Sequence, residues 1–123
     1  MNKILLVEDS KDLTGNLSDL FTEHNLEYIV AGSAEEGLEL LNHIFPGLII
    51  CDFKLPKLSG YEFLLTLKKN KKLSSIPFIM ISATTENSII KKIIDGGADV
   101  YIKKPFRNKL LVEEILKQLK LAA

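Results

Sequence analysis

Three carboxylates, a hydroxyl and an amine directly follow short apolar runs in this sequence. Glu8 and Asp9 come after the first run, and Asp52 comes after the third. Ser82 ends the fourth run, and the fifth leads through a lysine into Lys104. If these runs are parallel strands, their carboxyl ends meet at one edge of a sheet, where doubly wound proteins bind ligands. We therefore expect these five side chains to lie together.

The chemistry of such a cluster is that of a hard divalent cation. Three adjacent carboxylates repel one another unless a cation or protons intervene. Mg²⁺ suits this set of oxygen ligands better than a fully caged Ca²⁺, and Zn²⁺ is disfavoured because His24 and His43 lie on different predicted helices. Asp9 alone could equally cap the helix that follows it. Asp52 precedes no helix cap, which makes it the candidate nucleophile toward phosphorus.

A phosphoryl group on Asp52 would have three equatorial oxygens to neutralise. The metal ion would cover one oxygen and the Lys104 ammonium a second. The Ser82 hydroxyl and nearby backbone N–H groups would cover the third. The sequence thus contains a candidate for each part of a phosphoryl-transfer site.

Five apolar runs alternate with longer segments of helical periodicity. Most of the runs are continuously apolar, as in strands of a parallel sheet that is covered on both faces. The pattern predicts a (βα)₅ chain with helices on both sides of an open sheet. A closed eight-stranded barrel would need about twice this length. The predicted strands are Ile4–Val7, Tyr28–Val30, Leu48–Cys51, Phe78–Ile81 and Val100–Ile102.

The helical segments have recognisable starts, stops and apolar faces. Ser33 and Ser59 each precede a glutamate by three residues, which predicts two capping boxes. The fourth helix should end at Gly96 and Gly97. The apolar faces consist of Leu13, Leu17, Leu20 and Phe21; Leu38, Leu41, Ile44 and Phe45; Phe63, Leu64 and Leu67; Ile89, Ile90, Ile93 and Ile94; and Leu111, Ile115 and Leu119.

The bulk properties indicate one globular domain over residues 1–123. The chain is 46% hydrophobic and 26% charged, with 16 basic and 16 acidic residues, so it lacks the basic surface of a nucleic-acid-binding protein. The apolar run Ile4–Val7 is too short for a signal peptide, and no run is long enough to span a membrane. A single cysteine, Cys51, excludes an internal disulfide. Together these features predict a cytoplasmic protein without a membrane partner.

Four motifs, in this order, give the chain a clear resemblance to a known family. They are Ile4–Asp9 (ILLVED), Asp52–Gly60 (DFKLPKLSG), Ser82-Ala83, and Gly97–Phe106 (GADVYIKKPF). The sequence resembles the receiver domains of bacterial two-component response regulators, the CheY-like family. The resemblance covers essentially the whole chain. It implies a three-layer, flavodoxin-like fold with five parallel strands in the order 2-1-3-4-5.

The resemblance also implies a phosphorylation site with its metal ion. Asp52 would accept a phosphoryl group from a sensor histidine kinase or a histidine phosphotransfer protein. Asp9, Asp52 and the backbone carbonyl of Lys54 would bind Mg²⁺, or Mn²⁺ as a substitute, with Glu8 acting largely through water. Lys104, which directly precedes Pro105, matches the phosphate-pairing lysine, and the family's peptide bond before this proline is usually cis.

A switch and an interaction surface follow from the same resemblance. Ser82, with the backbone of Ala83, would move toward the phosphoryl group, and the Tyr101 ring would turn inward. The surface of the fourth helix, fifth strand and fifth helix would then bind a downstream protein target, an output domain or a second copy in a phosphorylation-linked homodimer. Direct contact with nucleic acid is not expected.

Several positions depart from the commonest family pattern. Glu8 replaces a frequent Asp, Ser82 a frequent Thr, and Leu55 a frequent Met. Ser82 lacks the methyl group that restricts a threonine rotamer, which predicts looser coupling to the aromatic residue of the switch. Lys54 and Thr84, two residues beyond Asp52 and Ser82, flank the phosphate site in this family.

Two other functions compete with the switch. A haloacid-dehalogenase-type phosphohydrolase also uses a strand-end aspartate and Mg²⁺, but it requires an acidic residue two positions after the nucleophile, where this chain has Lys54. A pseudo-receiver that only binds partners would normally have lost part of the acidic cluster or the lysine. The sequence therefore predicts a switch that catalyses only its own phosphorylation and dephosphorylation, without an output domain in this chain.

Overall fold

The computed structural model describes residues 3–122. Strands and helices alternate strictly along the chain. Their bounds are β1 Ile4–Val7, α1 Lys11–Glu23, β2 Tyr28–Ala31, α2 Ala34–Leu40, β3 Leu48–Asp52, α3 Gly60–Lys68, β4 Phe78–Ser82, α4 Asn87–Asp95, β5 Val100–Lys103 and α5 Asn108–Ala122, with a short 3₁₀ turn at Leu73–Ser75 before β4.

The sheet is entirely parallel, and its strand order is β2-β1-β3-β4-β5. This confirms the predicted fold. Strands β2 to β5 each extend one residue beyond the predicted apolar run, because ladder pairing continues into the residue that follows it. Asp52 is paired with Ile81, and Ser82 with Lys103. The polar residues at the carboxyl edge therefore belong to the sheet itself, which fixes their backbone positions.

Two apolar clusters cover the two faces of the sheet. Alternate residues of β1 show the division, since Leu5 and Val7 belong to one cluster and Ile4 and Leu6 to the other. The first cluster lies under α2, α3 and α4, and the second lies under α1 and α5. All residues of β1, β3 and β4 are buried, as expected for central strands of a parallel sheet.

The two predicted capping boxes differ in the structure. At α3 the box is complete, since the Ser59 hydroxyl accepts from the Glu62 N–H and the Glu62 carboxylate accepts from the Ser59 N–H. At α2 the Ser33 hydroxyl accepts from the Glu36 N–H, but the Glu36 carboxylate accepts from the Gly32 N–H. The capping box predicted at Ser33 is thus only half right, because the Glu36 side chain bonds to the N–H one residue before the N-cap.

Helix α2 is shorter than its apolar pattern suggested. It ends at Leu40, with Leu41 at its C-cap, whereas the prediction continued it through Ile44 and Phe45. Phe45 is 45% exposed. Beyond Leu40 the N–H groups of Asn42 and His43 donate to carbonyls three residues back, which tightens the chain into turns, and Pro46 disfavours helical backbone at Phe45.

Helix α4 buries less of its isoleucine stripe than its pattern indicated. Only Ile93 is buried, Ile89 and Ile90 are partly buried, and Ile94 is 43% exposed. The stripe is therefore partly a core face and partly an exposed apolar surface beside β5. No helix in the described part of the chain is long and apolar enough to cross a membrane.

Candidate functional site

The three predicted carboxylates meet at the carboxyl edge of the sheet. One oxygen from each of Glu8, Asp9 and Asp52 lies within 4.8 Å of the others. Glu8 and Asp52 are buried, whereas Asp9 is exposed. The cause is the strand order, because β1 and β3 are neighbours and Val7 is paired with Cys51. The residues that follow these two positions must therefore lie side by side.

The surroundings of Glu8 disfavour the charged form of its carboxyl group. Burial, with further contributions from the neighbouring charges of Asp52 and Asp9, raises the pKa of Glu8 to about 7. The N–H of Ser10, which donates to Glu8 Oε2 at 3.1 Å, and the Lys104 ammonium act in the opposite direction. The protein groups present thus leave the cluster short of positive charge.

Lys104 provides the only cation that is ion-paired with the cluster among residues 3–122. Its Nζ lies 3.0 Å from Asp52 Oδ1, and its side chain is 30% exposed. A backbone hydrogen bond fixes this lysine in place, since its N–H donates to the Ser82 carbonyl at 2.8 Å. The peptide bond between Lys104 and Pro105 is cis. Lys103 is exposed.

The donor set of the cluster fits a Mg²⁺ ion. All three donors are carboxylate oxygens, which Mg²⁺ prefers, and two of them are buried with one lysine to balance them. Burial is the main cause of the raised pKa of Glu8, and the charges of Asp52 and Asp9 add to it, so a cation at this place would favour the ionised carboxylate. His24 and His43 are both exposed and lie outside the cluster, so the donor set does not suit Zn²⁺.

A chain of hydrogen bonds leads from β4 toward β5 beside this cluster. The Thr84 N–H donates to the buried Ser82 hydroxyl at 3.1 Å, and the Tyr101 hydroxyl donates to the Thr84 carbonyl at 2.8 Å. The Tyr101 ring is partly buried and packs against the first apolar cluster. Thr84 thus connects the two predicted switch residues through its backbone. The sequence carried no signal for this role, since any side chain leaves the same N–H and carbonyl.

Gly60 ties the start of α3 to the backbone of Asp52. A Cβ atom at Gly60 would overlap the Asp52 carbonyl oxygen and lie 2.9 Å from the Phe53 Cα. The Gly60 N–H donates to the Phe53 carbonyl at 2.9 Å. Glycine is therefore required at position 60 by close approach of the Asp52 backbone, and at position 97 by a left-handed φ of 116°.

An open groove adjoins the cluster on the α1 and α5 side of the sheet. It has a volume of about 480 Å³ and is lined by Leu13, Asn16, Leu17, Ala83 and the segment from Lys104 to Phe106 with Asn108. Because Lys104 also contacts Asp52, this groove opens beside the candidate nucleophile. Sequence reasoning did not predict it, since it forms between segments that are distant in the chain.

The remaining predicted residues lie where their positions in the chain require. Lys54 is exposed in the loop after β3, two residues beyond Asp52, and Leu55 is buried. Ala83 is exposed at the end of β4. Cys51 is buried, and its thiol donates to the Asp52 carbonyl at 3.2 Å. Burial raises the pKa of this thiol, so Cys51 behaves as a small buried hydrophobe and not as a reactive thiolate.

A comparison with known families matches residues 4–116 to a model described as the response regulator receiver domain. Among curated proteins, the transcriptional regulatory protein CpxR of Escherichia coli strain K12 is 36% identical over 117 residues. That alignment covers 94% of this chain and 48% of CpxR. This chain thus spans about half the length of that relative.

Solved structures share the fold. The receiver domain of the Francisella response regulator 1452 has a TM-score of 0.93 and 26% identity, with 100% of both chains covered. The receiver domain of the sensor histidine kinase PA1611 from Pseudomonas aeruginosa PAO1 has a TM-score of 0.88 and 18% identity, with 97% of this chain and 98% of that chain covered. The PA1611 structure holds a magnesium ion in its active-site cleft.

Proposed function

Because this chain belongs to the response regulator receiver domain family of two-component signalling, we propose that Asp52 is its phosphoryl acceptor. The observation that carries the proposal is the position of the Asp52 carboxylate. It is 6% exposed, ends the central strand, pairs with Lys104 at 3.0 Å and shares an acidic cluster with Glu8 and Asp9. The phosphoryl group comes from a phosphohistidine of a sensor histidine kinase or a histidine phosphotransfer protein.

In the transfer step, a carboxylate oxygen of Asp52 attacks the phosphorus atom. The new O–P bond forms as the N–P bond of the phosphohistidine breaks, and the bonding pair stays on the imidazole nitrogen. The product is an acyl phosphate on Asp52. The backbone of β3 fixes the direction of attack, since Asp52 is paired in the ladder with Ile81.

Asp9, Asp52 and the backbone carbonyl of Lys54 would hold Mg²⁺, or Mn²⁺ in its place, with Glu8 acting through water. When bound, the ion supplies positive charge to the phosphoryl oxygens and relieves the repulsion within the cluster. A bound cation also favours the ionised form of Glu8.

The protein itself supplies the remaining charge and hydrogen bonds. Lys104 pairs with a phosphoryl oxygen, and its Nζ already lies beside Asp52. Ser82 and the backbone N–H of Ala83 serve a further oxygen. To do so, the Ser82 hydroxyl gives up its contact with the Thr84 N–H. Thr84 also accepts from Tyr101, so a movement at Ser82 reaches β5 through one residue.

The surface that phosphorylation would alter consists of α4, β5 and α5. On this surface Ile94 is 43% exposed and Leu110 is 47% exposed. A downstream protein, an output domain or a second phosphorylated copy would bind there. The reactions of this chain are limited to its own phosphorylation and dephosphorylation. Direct contact with nucleic acid is not part of the proposal, since acidic and basic residues are equal in number.

Intact mass spectrometry after incubation with Mg²⁺ and acetyl phosphate tests the acceptor. We expect one labile phosphate on the wild type, none on Asp52→Asn, and one on Asp12→Asn. Asp12 is the matched control, because it is an exposed aspartate in the first turn of α1 that lies outside the cluster. A wild type that gains no phosphate and does not bind beryllofluoride would indicate a pseudo-receiver. Steady turnover of phosphate esters would indicate a phosphohydrolase.

Titration calorimetry with Mg²⁺ tests the metal site separately. We expect one bound ion per chain and at least about tenfold weaker binding in Asp9→Asn, because the ion loses a direct carboxylate ligand. Asp12→Asn should bind Mg²⁺ like the wild type. Equal affinity in all three proteins would contradict the assignment of Asp9.

A further inference from the structure

The lysine-rich segment at the end of helix α3 is not used by the proposed phosphorylation site. It reads Lys68-Lys69-Asn70-Lys71-Lys72. Lys69, Lys71 and Lys72 are exposed, and none of them forms an ion pair in the described part of the chain. The dipole of α3 stabilises cations at its end, which accounts for Lys68 and Lys69. It does not account for Lys72, which occupies the N-cap of the 3₁₀ turn, where a cation is disfavoured.

The backbone of this segment is held in one conformation by local hydrogen bonds. The Asn70 side-chain oxygen accepts from the N–H groups of Lys72 and Leu73, at 2.9 and 3.1 Å. The Ser74 N–H donates to the Asn70 carbonyl at 2.8 Å, and the Ser74 hydroxyl donates to the Lys71 carbonyl at 3.2 Å. The exposed lysines thus project from a fixed turn, so a ligand would not have to order this backbone in order to bind.

An exposed phenylalanine lies beside these lysines. Phe45 is 45% exposed, and the Lys72 Nζ lies 5.7 Å from the centroid of its ring. That distance is within the range of a cation–π contact. Since Phe45 follows α2 and Lys72 follows α3, the contact joins two loops that are distant in the chain. The surface formed by Phe45, Lys69, Lys71 and Lys72 is termed the basic–aromatic patch.

The basic–aromatic patch lies at the edge of the sheet opposite the acidic cluster. The Gly47 N–H donates to the carbonyl of Lys3, directly before β1, and the 3₁₀ turn comes directly before the segment that leads into β4. All strands of a parallel sheet run in one direction, so both loops lie where the strands begin, whereas Asp52 ends β3. A molecule bound to this patch would therefore leave the phosphorylation site accessible.

We propose that the basic–aromatic patch binds an acidic segment of a partner protein that also carries an apolar side chain. Carboxylates of this segment pair with the exposed lysines, and its apolar side chain covers the exposed part of Phe45. Both contacts are needed, because an ion pair between exposed charges is weak by itself. The lysines select for an acidic partner, since a basic one would be repelled.

Two other anionic partners fit this patch less well. Nucleic acids and anionic membranes bind through charge that is summed over many basic residues, and this patch offers three exposed lysines. Glu39, which pairs with His43 at 3.5 Å, lies just before Phe45 in the chain, and the whole chain has equal numbers of acidic and basic residues. A large polyanion would meet these acidic groups, whereas a short peptide contacts only the lysines and the ring.

Fluorescence anisotropy with a labelled short peptide, made of glutamates with one central leucine, tests the patch. We expect at least about threefold weaker binding in Lys72→Gln and in Phe45→Ala, and weaker binding of the wild type as the salt concentration rises. Lys117→Gln is the matched control, because Lys117 is exposed on α5 and forms no ion pair among the described residues. Asp52→Asn should bind the peptide like the wild type. Circular dichroism verifies that the variants fold.

Four results would overturn the proposal. The first is a wild type that does not bind the peptide at about millimolar concentration. The second is an equal loss of affinity in Lys117→Gln, which would indicate unspecific attraction of charge. The third is full affinity in Phe45→Ala, which would exclude the aromatic contact. The fourth is tighter binding to phosphatidylglycerol vesicles or single-stranded DNA than to the peptide, lost in Lys72→Gln, which would assign the patch to a membrane or a nucleic acid. None of the four depends on whether Asp52 accepts phosphate.

Discussion

Helices α3 and α4 follow the two strands that carry Asp52 and Ser82, yet they are attached to the molecule in different ways. α3 begins with a complete capping box and buries four residues, including Phe63 and Leu64. α4 begins at Asn87, its N-cap Glu86 makes no side-chain hydrogen bond to the first turn, and the helix buries only Ile93. α3 is therefore held by its N-terminal cap and by a buried face, whereas α4 is held mainly by the buried side chain of Ile93 and by contacts with neighbouring elements.

This difference gives the two helices different roles: α3 supports the site, and α4 can respond to a change in it. Gly60 at the start of α3 packs on the Asp52 backbone, so a movement of α3 would displace Asp52 itself. α4 is connected to the site through Thr84, which bonds to Ser82 and Tyr101 and whose hydroxyl accepts from the N–H of Glu86, the N-cap of α4, at 3.2 Å. Segments with few buried contacts open at a lower free energy. A change at Ser82 should therefore shift α4 and leave α3 in place.

The largest expected effect comes from disrupting the close contact between Gly60, at the start of α3, and the Asp52 backbone. Gly60→Ala places a methyl group against the Asp52 carbonyl and the Phe53 Cα, and backbone atoms in a central strand cannot move aside cheaply. We expect the free energy of unfolding to fall by about 2–4 kcal/mol. Urea denaturation followed by circular dichroism measures this change.

The same substitution at an exposed glycine provides the control. Gly15 lies within α1, and a Cβ atom there would have no other atom within 4 Å. Gly15→Ala should therefore raise the free energy of unfolding by about 0.5–1 kcal/mol, since alanine is the better helix former. Equal effects at the two glycines would show that the contact of α3 with Asp52 is not under steric constraint.

Removing the cap of α3 should have a smaller effect. In Ser59→Ala the N–H of Glu62 loses its acceptor, and we expect the free energy of unfolding to fall by about 1 kcal/mol. Ser59→Asp keeps an acceptor at the same place and should change it by only a few tenths of that amount. An alanine variant as stable as the wild type would mean that burial alone fixes α3.

The fold and the acidic cluster could be predicted because both follow from local patterns. Continuous apolar runs fixed the strands, and the order of residues at their ends placed Glu8, Asp9 and Asp52 on one edge. The pairing of Lys104 with Asp52 agrees with the role that the family resemblance implied. The predicted ends of β3, β4 and β5 were one residue short, because a polar residue ends an apolar run without ending the backbone ladder.

Features that depend on packing between distant segments could not be predicted. The helical pattern of α4 did not reveal that Ile94 would be exposed, because exposure depends on the neighbouring elements. Lys68 is the last residue of α3, and its Nζ donates to the Ser74 carbonyl at 3.0 Å while its aliphatic chain packs on Gly97. A left-handed glycine leaves room for that contact, and the sequence alone does not show which side chain fills it.

The connection of α4 to the site can be tested at Tyr101. Tyr101→Phe removes the hydrogen bond to the Thr84 carbonyl, and we expect a loss of about 1 kcal/mol in stability. Hydrogen exchange should quicken in α4 and in the loop before it, while α3 keeps its protection. Faster exchange in both helices would contradict the separation between them. Phosphate incorporation from acetyl phosphate should persist, since Tyr101 is not among the groups that contact Asp52.

The smallest effect should come from giving α4 the cap that it lacks. Glu86 occupies the N-cap with extended backbone, but its side chain accepts no hydrogen bond from the first turn. An aspartate at this position would have the same charge on a side chain one methylene shorter, which is the length that N-caps favour. We expect Glu86→Asp to raise the free energy of unfolding by about 0.5 kcal/mol and to slow hydrogen exchange at the start of α4. If exchange there does not change, then α4 is already as firmly held as α3, and the contrast between the two helices does not extend to their dynamics.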